Sequence, residues 1–406
     1  MKILMLTPYL PYPPSSGGQV RSYNLLKNLG KKHKVVLVAL IKNDQEKKFI
    51  KKLEKFCEKI YVCKRSESAW TLENVVKSVF GPYPFLVVRN FSHPAKDLVF
   101  NLIKKNNFDL IHAETFYVMP HLPKTDIPII LVEQTIEYQV YQHFVNTLSF
   151  FFLKPFFYFD ILKLKFWEKN YWKKANIVVA VSQKDKQKML ALLPSLKIKI
   201  IPNGAGEDLI EIFKKKKIVK KSIFLYLGNF AWLQNVEAAN ILAKKIFPEI
   251  KKKITNAVCY IAGQKAHEKI HHLQKYGIKI IDIKHFDINK VKEIYSDASI
   301  FLAPIQGPGG TRLKILGAMA AGLPIISSKV GVEGLKVKHG ENVLVAQNEN
   351  EFVNNAIKLL HDRTLYQKIR VNARKLIEQR YSWNIIAQDL DKIYSSLKKT
   401  YYENSH

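Results

Sequence analysis

The chain has 406 residues, 47% of them hydrophobic, and a formal net charge of +31 from 65 basic and 34 acidic side chains. That length exceeds one ordinary core and predicts two domains, while the apolar content excludes a disordered or fibrous chain. The charge points to a polyanionic partner, but nearly all of it is lysine, with only eight arginines, as AT-rich coding would also produce.

Short β-branched runs alternate with helical patterns along the whole chain, which predicts parallel α/β structure. The strands expected in the first half are Lys2–Leu6, Lys34–Leu40, Lys59–Val62, Asp109–His112, Ile129–Glu133, Ile177–Val181 and Ile198–Ile201. A linker is expected over 205–221, after Pro202-Asn203-Gly204 and through the lysines at 214–221. A second set follows: Ile223–Leu227, Val258–Ile261, Ile278–Ile283, Ile300–Ala303, Ile325–Ser327 and Val343–Ala346. The expected organisation is a domain over 1–204, a second over 222–380, and a terminal helix from Tyr381 that packs on either. Two doubly wound sheets in tandem bind ligands outside their strands' carboxyl ends.

Targeting signals are absent from this reading. Ile3 to Leu6 is too short for a signal peptide and runs into Pro8, Pro11, Pro13 and Pro14. No stretch reaches the roughly 20 apolar residues of a membrane-spanning helix. Cys57, Cys63 and Cys259 have no paired spacing and suit reduced cytosolic thiols, so a cytoplasmic location is expected.

The most specific motif runs from Gly307 to Pro324. Glycines at Gly309 and Gly310 lead into a helix whose first turn carries Thr311, Arg312 and Lys314, and Gly322 ends it. Glycine lets a backbone approach closely, free N–H groups and the helix dipole favour an anion, and two cations neutralise it. Such a loop suits a diphosphate. Gly17 and Gly18 open the helix Val20–Leu29 after the first strand, and Gly228-Asn229 follows the first strand of the second half. Both are places where a backbone meets a ligand, or ordinary turns.

Two other segments bear on partners. His267-Glu268-Lys269-Ile270-His271 matches a zinc-protease spacing, with Glu293 as a third ligand, but Gln264, Lys265, Lys269, Gln274 and Lys275 describe a solvent-facing helix, so no metal site is expected. Over 144–174 large aromatics interleave with lysines, as in helices that lie on an anionic membrane surface; the other reading is a core helix pair with a lysine-bearing outer face. Helix-turn-helix, zinc-finger and RNA-binding signatures are missing and the lysines are dispersed, so nucleic acid is not an expected partner.

Taken in order and spacing, these stretches resemble the GT-B fold glycosyltransferases of family 4 over essentially the whole chain. The resemblance rests on Lys2–Pro14 with Gly17-Gly18, Asp109–His112, Ile201–Gly204, Tyr226–Asn229, Gly309–Pro324, Val330–Leu335 and Arg380–Trp383. It implies an α/β GT-B fold of two Rossmann-like domains and retaining, metal-independent hexosyl transfer with no cofactor beyond a nucleotide-sugar co-substrate. The acceptor would be a glycan or lipid-linked glycan held by the first domain, in polysaccharide synthesis at the cell envelope. Arg312 and Lys314 match residues that neutralise the leaving diphosphate, and Gly18 the place where the backbone meets the donor. The terminal helix would cross back to the first domain. Two family glutamates eight residues apart match Gly309 and Gly317, and a family histidine matches Gln134, with Glu133 and Glu137 nearby to serve as acid or base. These departures keep a second reading open, a catalytically degenerate protein that binds a nucleotide sugar or partner without turnover. A third, a GT-B fold sugar-nucleotide epimerase, needs acidic residues that the sequence does not locate.

Overall fold

The structure, a computed structural model, describes residues 1–148, 152, 154–215, 222–284, 287–307 and 313–403. The chain divides into two compact units: Met1–Pro202 together with the residues from Ile386 onward, and Asn203–Ile385.

The first unit is built on seven parallel strands: β1 (Lys2–Thr7), β2 (Lys34–Ile41), β3 (Lys59–Lys64), β4 (Leu110–Glu114), β5 (Ile129–Glu133), β6 (Ile177–Ala180) and β7 (Ile198–Ile200). Their order is β3-β2-β1-β4-β5-β6-β7, with Met5 between Leu37 and His112 in register. β1, β4 and β5 are almost wholly buried, as parallel strands with both faces covered must be.

The second unit repeats the plan with six parallel strands: β8 (Ile223–Asn229), β9 (Val258–Gln264), β10 (Ile278–Asp282), β11 (Ile300–Ala303), β12 (Ile325–Ser328) and β13 (Leu344–Ala346). The order is β10-β9-β8-β11-β12-β13. In both sheets the order reverses beside the unit's first strand, at β1/β4 and at β8/β11. The crevice outside the carboxyl ends at such a reversal is where doubly wound sheets take ligands.

Two boundaries differ from the sequence expectation. The expected linker contains the helix Glu207–Lys215, which belongs to the second unit. Its Leu209 and Phe213, one turn apart, pack on the helix Leu313–Ala320 and the turn that ends it, so this stretch is held by apolar contacts as a linker is not. The terminal helix is Trp383–Glu403, and from Ile386 it belongs to the first unit, with Leu390 and Tyr394 fully buried there.

The aromatic segment forms the helices Glu137–Thr147 and Lys154–Lys174. Leu164, Tyr171 and Trp172 join the core of the first unit, while Phe156, Phe159 and Phe166 face outward. Cys57, Cys63 and Cys259 are free thiols.

Candidate functional site

In the second unit the carboxyl end of β8 meets the first turn of the helix Leu313–Ala320. Lys314 comes from that turn. Its Nζ donates to the Tyr226 hydroxyl at 3.1 Å and to Asn235 Oδ1, and lies 4.7 Å from the centre of the Tyr226 ring. The Tyr226 hydroxyl also donates to Asn235 Oδ1, at 3.1 Å, and the Asn235 amide donates to the Asn229 carbonyl, at 2.6 Å. The ammonium is thus seated against two neutral side chains, Tyr226 and Asn235.

Space is tight here, and at Gly263 glycine is required. A Cβ on Gly228 would lie 3.3 Å from Lys314 Nζ and 3.1 Å from Asn235, and one on Gly263 (φ 148°) only 1.7 Å from the Gly228 carbonyl oxygen. Gly228 and Asn229 are the last two residues of β8 rather than a loop after it. The Asn229 side chain is taken up within the fold: its Oδ1 accepts from the Ala231 N–H at 3.0 Å and its amide donates to Gln264 at 2.8 Å. These bonds close the turn after β8 with both ends of the amide. Gly309, Gly310, Thr311 and Arg312 lie outside the described residues.

Gly317 lies inside the helix Leu313–Ala320, in tight surroundings. A Cβ there would lie 3.0 Å from the Tyr295 hydroxyl and 3.1 Å from Leu209 Cδ1. The ends of two side chains of this unit therefore crowd this position.

In the first unit the carboxyl ends of β1, β4 and β5 hold a buried polar network that the sequence reading did not identify. Glu114, at the end of β4, is fully buried. It accepts from His112 Nε2 at 2.7 Å and from the Gln134 amide at 2.8 Å, and Arg21 Nε lies 3.2 Å away. Burial alone would raise its pKa, but the His112 hydrogen bond and the Arg21 charge outweigh that and hold it below the ordinary carboxylate value. Arg21, also fully buried, donates to the carbonyls of Ile201 and Pro202 at 3.2 and 3.0 Å. His112 Nδ1 pairs with the Tyr394 hydroxyl of the terminal helix. Thr115, which follows Glu114, is β-branched at φ 72°, a strained backbone of the kind found where side chains must be aimed.

Gln134 sits at the open edge of this network. Its amide donates to Glu114 and, at 3.1 Å, to the Tyr9 hydroxyl, which commits both protons and leaves Oε1 as an acceptor for a ligand hydroxyl. Gly17 and Gly18 open the helix Gly17–Leu29, capped by Ser16. A Cβ on Gly18 would stand 2.3 Å from the Tyr9 hydroxyl, so this glycine is needed to seat Tyr9.

Glu137 begins the next helix, half-buried. Burial pushes it up to about 7, against the lowering effect of a hydrogen bond with Tyr117. A carboxyl poised near neutrality suits general acid–base work. Behind it, Glu168 accepts from the Glu137 and Tyr138 N–H groups at 2.8 and 3.3 Å, and Glu133 accepts from Trp172 Nε1 at 3.1 Å. Burial, with repulsion by Glu168 on Glu133 and by Glu137 on Glu168, holds both above the ordinary range.

The zinc-like spacing lies apart from both sites. His267 belongs to the five-residue helix Ala266–Ile270, and Glu268 pairs at the surface with Lys265 and Lys269 at 3.4 and 3.0 Å. Among the described residues no group of three His, Cys, Asp or Glu side chains could hold a metal.

Two parallel α/β units with polar clusters at their topological switch points define a two-domain α/β protein of GT-B type. Residues 15–208 match the family model described as Glycosyltransferase Family 4, and residues 221–362 match that described as Glycosyl transferases group 1. The chain belongs to the GT-B fold glycosyltransferases of family 4. A Klebsiella pneumoniae relative, described as an uncharacterised 44.6 kDa protein in the cps region, is 24% identical over 98% of this chain and 99% of its own length. Among solved structures, Anabaena HepE in complex with UDP is 16% identical with a TM-score of 0.62, covering 98% of this chain and 100% of that one. WaaG, a glycosyltransferase involved in lipopolysaccharide biosynthesis, is 16% identical with a TM-score of 0.65, covering 97% and 99%. At these identities the two structures show the fold.

Proposed function

We propose that the chain is a retaining, metal-independent hexosyltransferase that moves a sugar from a nucleotide-sugar donor to a glycan or lipid-linked acceptor in envelope glycan synthesis. The observation that carries the reading is Lys314, a cation fixed by Tyr226 and Asn235 at the switch point of the second sheet. Charge develops on the leaving diphosphate as the glycosidic bond breaks, and a preorganised cation there stabilises the transition state. Arg312, two residues earlier, supplies the second charge in this reading. Gln134 Oε1 accepts a sugar hydroxyl, and Glu137 is the group that gives or takes a proton near neutral pH. The free N–H groups of the helix that begins at Gly17 add a weaker anion site.

HepE was captured with UDP, which supports a uridine donor as the first to try. WaaG and the cps-region relative support an envelope glycan as product. The reading includes the inner face of the plasma membrane as working surface, with 144–174 as the contact. It includes no nucleic acid and no cofactor beyond the donor.

A second reading, a binder without turnover, is favoured by one observation: Leu209 and Tyr295 crowd Gly317, which matches the position of a family glutamate. A thermal-shift screen against UDP-, GDP- and dTDP-sugars, followed by assay for free nucleotide and sugar, separates the two. Stabilisation by one donor with slow hydrolysis supports the enzyme. Stabilisation without turnover supports the binder, and a flat response to every donor removes both.

A further inference from the structure

We propose that the helices Leu72–Phe80 and Lys154–Lys174 together form a two-helix platform that docks on an anionic lipid bilayer. This deepens the membrane part of the reading above by adding a second element, and it holds whichever sugar is transferred. The side chains concerned are large, apolar and exposed: Leu72 by 81%, Phe80 by 85%, Phe156 by 67%, Phe159 by 57%, Leu162 by 65% and Phe166 by 59%. Contiguous apolar surface of this kind marks an interaction site.

On the longer helix, Phe156, Phe159, Leu162 and Phe166 follow one another at steps of three, three and four residues, so they form a single stripe. The helix also sorts its charges. Its two acidic residues point inward, where Asp160 accepts from Ser78 and from the Phe85 N–H, each at 2.9 Å, and Glu168 caps the helix that begins at Glu137. The accessible charges left on this helix are its lysines. An apolar stripe flanked only by cations fits an anionic headgroup layer, with the long lysine stems reaching past the rings to the phosphates. Among the described residues no helix is long and apolar enough to cross a membrane, so contact of this kind is superficial.

The shorter helix is fastened beside the stripe. Lys163 rises from the middle of the stripe, packs over the Phe159 ring at 4.8 Å, and donates to the Ser78 and Gly81 carbonyls at 2.6 and 2.8 Å. Those carbonyls are at the C-terminal end of the 72–80 helix, where a cation also suits the helix dipole. Trp167 adds a bond from Nε1 to the Pro82 carbonyl at 2.9 Å, and its ring lies 4.5 Å from that of Tyr83. The backbone on either side of Phe80 is thereby fastened to the longer helix. The single acidic residue of the shorter helix, Glu73, is paired with Lys77 one turn on. Charge complementarity thus selects anionic lipid as the occupant.

The test is co-flotation of the full chain with vesicles of phosphatidylcholine alone and of phosphatidylcholine with about a third phosphatidylglycerol. Wild type should float with the anionic vesicles only, and less at high salt. Leu72→Ser with Phe80→Ser, and separately Phe159→Ser with Phe166→Ser, should each lower the partition coefficient at least about tenfold while leaving the melting temperature in place. Wild type that stays at the bottom with both vesicle types overturns the proposal. Loss of flotation with the 159/166 pair but not the 72/80 pair also overturns it and leaves the single-segment reading standing. A concentration-dependent dimer that either pair abolishes, without vesicle binding, would assign the face to a second copy instead. Donor-induced thermal shifts should be the same in all these variants, so failure here is separable from failure of the glycosyl-transfer reading.

Discussion

Gly317→Glu restores the residue that the family places on the donor ribose, and here it should not restore its function. A Cβ at 317 would stand 3.0 Å from the Tyr295 hydroxyl and 3.1 Å from Leu209 Cδ1. Alanine adds only that carbon. It gains about 1 kcal/mol in helix propensity over glycine, against contacts a few tenths of an ångström too short, so Gly317→Ala should shift stability by less than about 1 kcal/mol. Glutamate continues into the same space, and overpacking of a buried helix costs roughly 1–3 kcal/mol. Gly317→Glu alone should therefore unfold at lower denaturant and bind UDP no more tightly than wild type. Leu209→Ala removes the side chain that fills the space. In that background Gly317→Glu should tighten UDP by about 10- to 150-fold, the equivalent of a charge-assisted hydrogen bond worth roughly 1.5–3 kcal/mol. Urea unfolding and titration calorimetry on the four proteins give both quantities. A single Gly317→Glu variant that keeps its stability and binds UDP more tightly would refute the assignment of this space to Leu209 and Tyr295.

Two further expectations concern the first unit. Glu133, Glu137 and Glu168 all have folded-state pKa values above the ordinary 4.5, chiefly through burial. Their protonated forms are favoured by folding, so their contribution is complete below about pH 4.5 and is lost as pH rises through about 7 and beyond. Glu133→Gln, which keeps an acceptor for Trp172, should leave stability at pH 5 nearly unchanged and raise it at pH 8; equal stability curves for the two proteins would count against a buried, protonated Glu133. Gly18→Ala drives a Cβ to 2.3 Å from the Tyr9 hydroxyl, and urea unfolding should show a loss of about 1–3 kcal/mol, whereas a neutral outcome would mean that Tyr9 is not seated there.

Much of the fold is legible in the sequence because parallel strands buried on both faces leave continuous β-branched runs. Every run marked in advance is a strand, and the differences are shifts of one to three residues at the ends. Asp109–His112 is observed as Leu110–Glu114, since a polar pattern gives no sign that Glu114 continues the strand into a network of Arg21, His112 and Gln134. Arg21 left one trace: among so many lysines an arginine is rare, and three of the eight, Arg21, Arg370 and Arg374, are buried, where a planar, multiply bonded cation is suited. The helix Glu207–Lys215 was hidden by a lysine-rich neighbourhood that reads as linker, although Leu209 and Phe213 already had helical spacing. The crowding at Gly317 could not be read from its own position, because the side chains beside it are Tyr295 and Leu209, the latter more than a hundred residues earlier. For the aromatic helix, composition alone does not separate rings that bury from rings that face outward; that depends on which side meets the core.

The central claim is that Lys314, seated on Tyr226 and Asn235, neutralises the diphosphate of a nucleotide-sugar donor. It is tested most directly by measuring UDP release from UDP-sugars by wild type and by Lys314→Met, with unfolding controls on both. The account expects wild type to release UDP from one donor and Lys314→Met to lose about 100- to 1,000-fold of that rate at nearly unchanged stability. A Lys314→Met protein that turns over at the wild-type rate would contradict it.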